Sequence, residues 1–341
     1  MLHDLDLFLR DLQIMFMIIL LCAIIPISLG FWVISVILNT YSGDGGFFEP
    51  ISPWRWLFSI LAPIFLSLWG RRRKSLDKSG ALAGLIIGFI LTFSSACFFS
   101  SLLAFFFFAS KATKFRSDKK KKLEADFKEG GQRNWVQVLC NGGVATEMAV
   151  LYLCDVGCGE KLLNFSQNYN ATWWSMAVLG AIAGCCGDTF ASELGTVLGS
   201  GVPRLITTLE KVPKGTNGGV TIVGTLASAF GGFIVGVAYY VTLTLLEQSS
   251  HLTNSPPQWP VVVVATLAGV MGSLIDSLLG ATLQYSGYCT KRRCIVEEPG
   301  PGVEDISGSA VLDNHGVNLL SSLFSSLFTP RIAFHIWRTL Q

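Results

Sequence analysis

A succession of long apolar runs constrains this chain more than any other feature of its sequence. They span residues 14–38, 51–69, 81–109, 136–153, 172–200, 220–246, 261–284 and 314–328. About 20 apolar residues carry a helix across the hydrocarbon core, whereas a barrel strand would alternate polar and apolar positions, which these runs do not. The composition agrees, with 51% hydrophobic residues and only 14% charged. A soluble domain would carry more charge. The expected fold is therefore all-α: a polytopic helical membrane protein of roughly seven to nine membrane segments. The 341 residues read as a single transmembrane domain.

The charges between the runs set the orientation. Arg71 to Lys74, the loop 111–131 with its lysines, Arg204 to Lys214, and Lys291 to Arg293 are basic and belong on the cytosolic side. The uncharged stretch 81–109 joins two of these basic runs, so it is expected to enter and return as a hairpin near Thr92 to Ser95. One long tilted helix is the alternative. The loop from Asp155 to Asn170 then falls on the opposite face, and it carries two glycosylation sequons, at Asn164 and Asn170. Asp4, Asp6 and Asp11 do not suit an organellar transit peptide. The endoplasmic reticulum or another endomembrane is the expected location. The net charge of +2 gives no basis for a nucleic-acid partner, and nine cysteines and four scattered histidines show no metal-ligand spacing. Histidine or cysteine catalysis is not expected.

Between Thr172 and Gly201 the charged residues are Asp188 and Glu193, within GDTFASELG. A carboxylate at membrane depth costs several kcal/mol and is kept facing a cavity or a partner. The plainer reading is a helix end at the interface, capped by Asp188. In one straight helix the two carboxylates would lie about 140° apart. Either the helix breaks at Gly187 or only one of them binds metal; a break is expected, because irregular backbone in a membrane is tolerated where it lines a cavity. Oxygen ligands here suit Mg²⁺ held through a phosphate.

The stretch KVPKGTNGGVT combines Lys211 and Lys214 with Gly215, Thr216, Asn217, Gly218 and Gly219. Its backbone N–H groups can converge on an anion, aided by the dipole of the span that starts at Val220. It lacks the P-loop spacing, and an ordinary basic turn is the rival reading. Three polar stripes interrupt apolar helices: Arg133, Gln137 and Asn141; Gly269, Gly272, Ser273, Asp276 and Gly280; and Asn314, Asn318, Ser321 or Ser322, and Ser325. Glycines alone would mean close helix packing. Asp276 is what packing leaves unexplained.

GDTFASELG, VPKGTNGGVT, GSLIDSLLGATLQ (Gly272–Gln284), QVLCNGG (Gln137–Gly143) and LDNHGVNLLS (Leu312–Ser321) together resemble the transmembrane protein 19 family, over Ser79 to Leu327. The resemblance implies a group of multispanning membrane proteins that includes a plant phytyl-phosphate kinase. More distantly, Gly187, Asp188, Ala191 and Ser192 are similar to the GDxxAS segment of CTP-dependent prenol kinases such as dolichol kinase. Lys211, Lys214 and Gly215 fall where their lysine-and-glycine segment should be. Glu193 and the extended TNGG depart from that pattern, which leaves nucleotide and acceptor open.

The expected function is Mg²⁺-dependent transfer of a phosphoryl group from CTP or ATP to an isoprenoid alcohol phosphate at the cytosolic membrane face. Asp188 would bind the metal and Glu193 would be a second ligand or orient the acceptor. Lys211, Lys214 and Gly215 to Gly219 would hold nucleotide phosphates, with Asp276, Asn141, Ser192, Arg133, Gln137, Asn314 and Asn318 completing a polar wall. The surrounding membrane lipid and apolar spans would admit the prenyl tail. The rivals are a transporter of a cation or anionic metabolite and a multi-pass protein without enzymatic activity.

Overall fold

The computed structural model describes residues 24, 26–37, 51–115, 131–199, 201–247, 249–292 and 294–340. Residues 14–23 of the first expected span and 116–130 of the basic loop lie outside them. The chain divides into two compact units, Met1–Phe65 and Leu66–Gln341. In the first, helix α1 (Pro26–Ile37) meets the start of α2 (Pro53–Arg72) through the Ser28 hydroxyl, which donates to the Pro53 carbonyl at 2.9 Å, and through Phe31 stacked on Trp56. Helix α2 closes on Arg71 and Arg72, cations placed where the dipole favours them.

The second unit opens with the expected hairpin. Helix α3 (Lys78–Ser94) ends and α4 (Ala96–Lys114) begins at Ser95, whose extended backbone breaks the helix and whose hydroxyl accepts from the Cys97 N–H at 3.2 Å. At the other end Asp77 caps α3 by accepting from the Gly80 N–H at 2.7 Å. Lys114 returns to the same level and donates to the Arg73 carbonyl and the Ser75 hydroxyl. The uncharged stretch between two basic runs is thus two helices that return to one level.

Helices α5 (Trp135–Val156), α6 (Tyr169–Leu198), α7 (Ile222–Leu246), the short α8 (Ser249–Thr253), α9 (Pro260–Leu283) and α10 (Asn314–Leu340) follow. Of these helices, α4, α5, α6, α7 and α9 are long and apolar enough to cross a membrane. Helix α6 is the central member, packed against α4, α5, α7, α9 and α10. Its stretch from Ala177 to Gly187 is buried on all sides, the pattern of a helix with no solvent face. Small residues let its neighbours approach: a Cβ on Gly187 would lie 2.6 Å from the Gly269 carbonyl carbon of α9, and one on Gly184 would lie 2.7 Å from the Ser325 hydroxyl of α10.

Three sequence expectations need correction. Helix α6 runs unbroken through Gly187, because the close approach of α9 is met by the missing side chain and not by a break in the backbone. The last segment does not stop at 328 but continues to Leu340. Arg331, His335 and Arg338 dilute its apolar signal, yet Trp337 on the same helix is fully buried against Phe165. The bundle also carries two small sheets that a purely helical reading lacked. Strands β1 (Arg204–Leu205) and β2 (Gly219–Val220) pair antiparallel and close the loop after α6. Strands β3 (Ser286–Cys289), β4 (Cys294–Val296) and β5 (Val303–Ser307) form a β4-β3-β5 antiparallel sheet between α9 and α10.

Because the helices alternate in direction, the two ends of this unit differ. One gathers the start of α3, the end of α4, the start of α5, the end of α6, both sheets and the start of α10. The other holds the Ser95 turn, the 157–168 loop and the end of α10. There the Gly159 N–H donates to the Ser94 carbonyl, and the Gln258 side chain bonds both the N–H and the carbonyl of Leu163. Asn164 belongs to this sealed end. It is 5% exposed and its Oδ1 accepts from the N–H groups of Ser166 and Gln167. The side chain of Asn164 is thus buried and bonded, whereas Asn170 is exposed in the first turn of α6.

Candidate active site

The sheet-bearing end encloses a cavity of about 1180 Å³. Its floor is built by α6 and α9. Asp188, one residue after the close contact at Gly187, and Asp276, one turn after Gly272, both face this cavity, and their charges are near enough to interact. Ser321 of α10 donates to the Asp276 carboxylate at 3.2 Å. Among the described residues nothing donates a hydrogen bond to Asp188. Glu193 lines the same cavity from another face of the unbroken α6, and its charge also acts on Asp188. Ser192 and Thr196 stand on that wall, bonded back to α6 carbonyls.

The loop 214–221 forms a second wall. Gly215 and Gly218 have φ of 92° and 79°, the left-handed region where glycine is at ease. A Cβ at Gly218 would also lie 2.6 Å from the Ser277 carbonyl, so the loop lies directly on α9. Its amides are partly committed: those of Thr216 and Gly219 donate within the loop, and that of Asn217 donates to the Ser286 hydroxyl at 3.1 Å. The expected nest of successive N–H groups is thus partly tied, and the loop lines the cavity along its whole length, beginning with Lys214. That ammonium donates to the Gly199 carbonyl at the end of α6, at 2.7 Å. Lys211 does not join it. It is exposed, at the β-bridge to Arg204, and is absent from the cavity wall.

Arg133, Gln137 and Asn141 line the third wall, but not as one helical stripe. Arg133 precedes α5 and is held by backbone: its N–H donates to the Ser75 carbonyl, and its carbonyl accepts from Asp77. Its guanidinium donates to Ser110 and Thr113 hydroxyls at 3.1 and 3.4 Å. Burial pushes its pKa down, opposed by the carboxylate of Glu193. Gln137 completes a reciprocal capping box with Asn134, and Asn141 donates to the Gln137 carbonyl. Asn314 and Asn318 reach the cavity from the start of α10.

Sequence reasoning left several cavity residues out of the site, among them Lys291, Arg292 and His315. Lys291 and Arg292 turn in from the β3–β4 hairpin, beside Glu297 and Glu298. They had been assigned to the basic face, but the small sheet that folds them over the cavity has no periodic signature. His315 also lines the wall, and its buried Nδ1 has no hydrogen-bond partner among the described residues. Scattered spacing had argued against histidine, and α10 is what brings this one in. Among the described residues no group of three or more His, Cys, Asp or Glu side chains is arranged to hold a metal by itself.

Residues 61–326 match the family described as integral membrane protein DUF92. The chain belongs to that family. It is 42% identical to Protein PGR of Arabidopsis thaliana over 289 residues, covering 85% of this chain and all of the relative. It is 32% identical over 234 residues to an uncharacterized membrane protein of Methanocaldococcus jannaschii, covering 68% of this chain and 85% of that one. It is 28% identical over 214 residues to Protein VTE6, chloroplastic, also of Arabidopsis thaliana, covering 61% and 56%. No solved structure matches the chain.

Proposed function

We propose that this protein transfers a phosphoryl group from a nucleoside triphosphate, CTP or ATP, to an isoprenoid alcohol phosphate at one face of the membrane. The observation that carries the reading is the cavity in which Asp188 and Asp276 meet under a rim of Lys214, Lys291 and Arg292. Carboxylates and cations lining one cavity suit a polyphosphate with its divalent ion. Phosphoryl transfer asks mainly for positioning and charge neutralisation.

Mg²⁺ fits this donor set in one way. Asp188 and Asp276 would hold it through their carboxylates, with phosphate oxygens and water as this ion's usual further partners. When bound, the ion would neutralise charge on the transferring group. The protein's own cations, Lys214, Lys291 and Arg292, would hold and orient the nucleotide phosphates. An oxygen of the acceptor phosphate forms the new bond to the γ-phosphorus while the bond to the β,γ-bridging oxygen breaks, releasing the nucleoside diphosphate. A phosphate monoester is largely ionised at neutral pH, so its oxygen needs no general base.

The cavity walls all come from the sheet-bearing end, and the opposite half of α6 is closed by Met176, Leu179 and Ile182. The basic loops favour a cytosolic open end, with Asn170 on the opposite face of the membrane. Purified protein incubated with Mg²⁺, labelled CTP or ATP, and phytyl, farnesyl or geranylgeranyl phosphate should form the corresponding diphosphate. Neither transfer nor nucleotide binding with any pair would falsify the reading.

A further inference from the structure

Next to the polar cavity lies a second space of about 70 Å³, lined by Leu66, Leu76, Ile87, Leu102, Phe105 and Phe106 among others. Arg133, Gln137 and Asn141 line both spaces. Three polar side chains thus stand where a charged chamber passes into an apolar slot. Arg133 is the cation at that boundary. Its hydrogen bonds go to the hydroxyls of Ser110 and Thr113, and the Glu193 carboxylate, which also lines the polar cavity, is near enough to favour its charge. A guanidinium whose hydrogen bonds go to neutral hydroxyls beside a cavity is suited to a phosphate, whose oxygens match its planar fork.

We propose that Arg133 binds the phosphate monoester of a single-chain amphiphile whose first carbons enter this slot. The assignment rests on the acceptor reading above and gives it a location. An apolar cavity of about 150 Å³ accommodates a benzene ring. The slot is smaller, so it takes only the carbons next to the headgroup and leaves the rest of the tail to the bilayer. A two-chain phospholipid, with its glycerol branch at that point, does not enter. Gly84 lines the slot, and a Cβ there would find its nearest atoms, on Ser67 and Leu76, at 3.8 and 3.9 Å. A larger side chain at this position has room to start and then fills the slot.

The test is equilibrium binding of labelled farnesyl phosphate to the full-length protein in nanodiscs, without nucleotide. Competitors are farnesol, inorganic phosphate and phosphatidic acid. Farnesyl phosphate should be displaced by itself at least tenfold better than by any of the three. Gly84→Phe, and Gly84→Leu as a milder filling, should weaken its binding at least tenfold while CTP and ATP bind as in wild type. Arg133→Gln should erase the preference over farnesol and Arg133→Lys should keep part of it. Wild-type affinity in folded Gly84 variants, or phosphatidic acid competing equally, overturns the proposal. If this binding pattern holds and no phosphoryl transfer is found, the site stands and the kinase reading falls. If transfer occurs with unaltered affinity in Gly84→Phe, the reverse is true.

Discussion

The two ends of the larger unit are built from the same helices and have opposite characters. At one end Phe165, Phe334 and Trp337 pack edge to face, and Leu163 is pinned through Gln258, so polar groups there are used to lock loops. At the other, Asp188, Asp276, Lys214, Lys291 and Arg292 surround open space. Helix α6 joins the two, sealed through Gly187 and polar from Asp188 onward. The difference teaches that close packing and an open polar cavity occupy separate levels of one bundle. The small residues of α6 and α9 serve both: they let the helices touch, and the contact sets the two aspartates side by side.

The contrast can be broken at either end. The largest effect is expected from Trp337→Ala, which removes a fully buried indole and should cost about 3–5 kcal/mol, read as lost thermal stability with substrate affinities unchanged in the protein that remains folded. Asp188→Asn or Asp276→Asn should do the opposite. Transfer should fall by about 10²–10³-fold, the scale of losing one preorganised electrostatic contact, with melting unaltered. A smaller loss is expected at the rim, where Lys291→Gln combined with Arg292→Gln should raise the nucleotide KM by roughly tenfold and change kcat little. Lys211→Gln should leave both constants within about twofold, because exposed charges away from a site contribute little. Asn170→Gln should abolish any glycosidase-sensitive mobility shift that Asn164→Gln leaves intact.

Much of this fold is written in charge and hydropathy. The α3–α4 hairpin follows from an uncharged stretch with lysines at both ends, and the ends of α2, α5 and α9 lie close to the limits of their apolar runs. Asp276 was legible because a carboxylate is the one member of a small-residue stripe that packing does not require. Other features depend on tertiary contact and leave no local trace. Glycine at 187 reads equally well as a helix break or as a contact point, and only the position of Gly269 decides between them. The cationic rim depends on strands of three to five residues that fold Lys291 and Arg292 back over the bundle. Trp337 is buried on a helix whose arginines hide its apolar face from a hydropathy scan. Lys211 and Lys214, three residues apart in one motif, are separated because Lys211 sits at the bridge to Arg204 while Lys214 reaches the Gly199 carbonyl.

The central claim, that carboxylates from α6 and α9 act as one ion-binding unit beneath a nucleotide, is tested most directly by Mg²⁺-dependent CTP and ATP binding. It should be measured across wild type, Asp188→Asn, Asp276→Asn and the double variant. Each single change should remove most of the Mg²⁺ enhancement, and the double should be little worse than either, as for residues that share a partner. Losses that simply add, or nucleotide affinity indifferent to Mg²⁺ in the wild type, would contradict it.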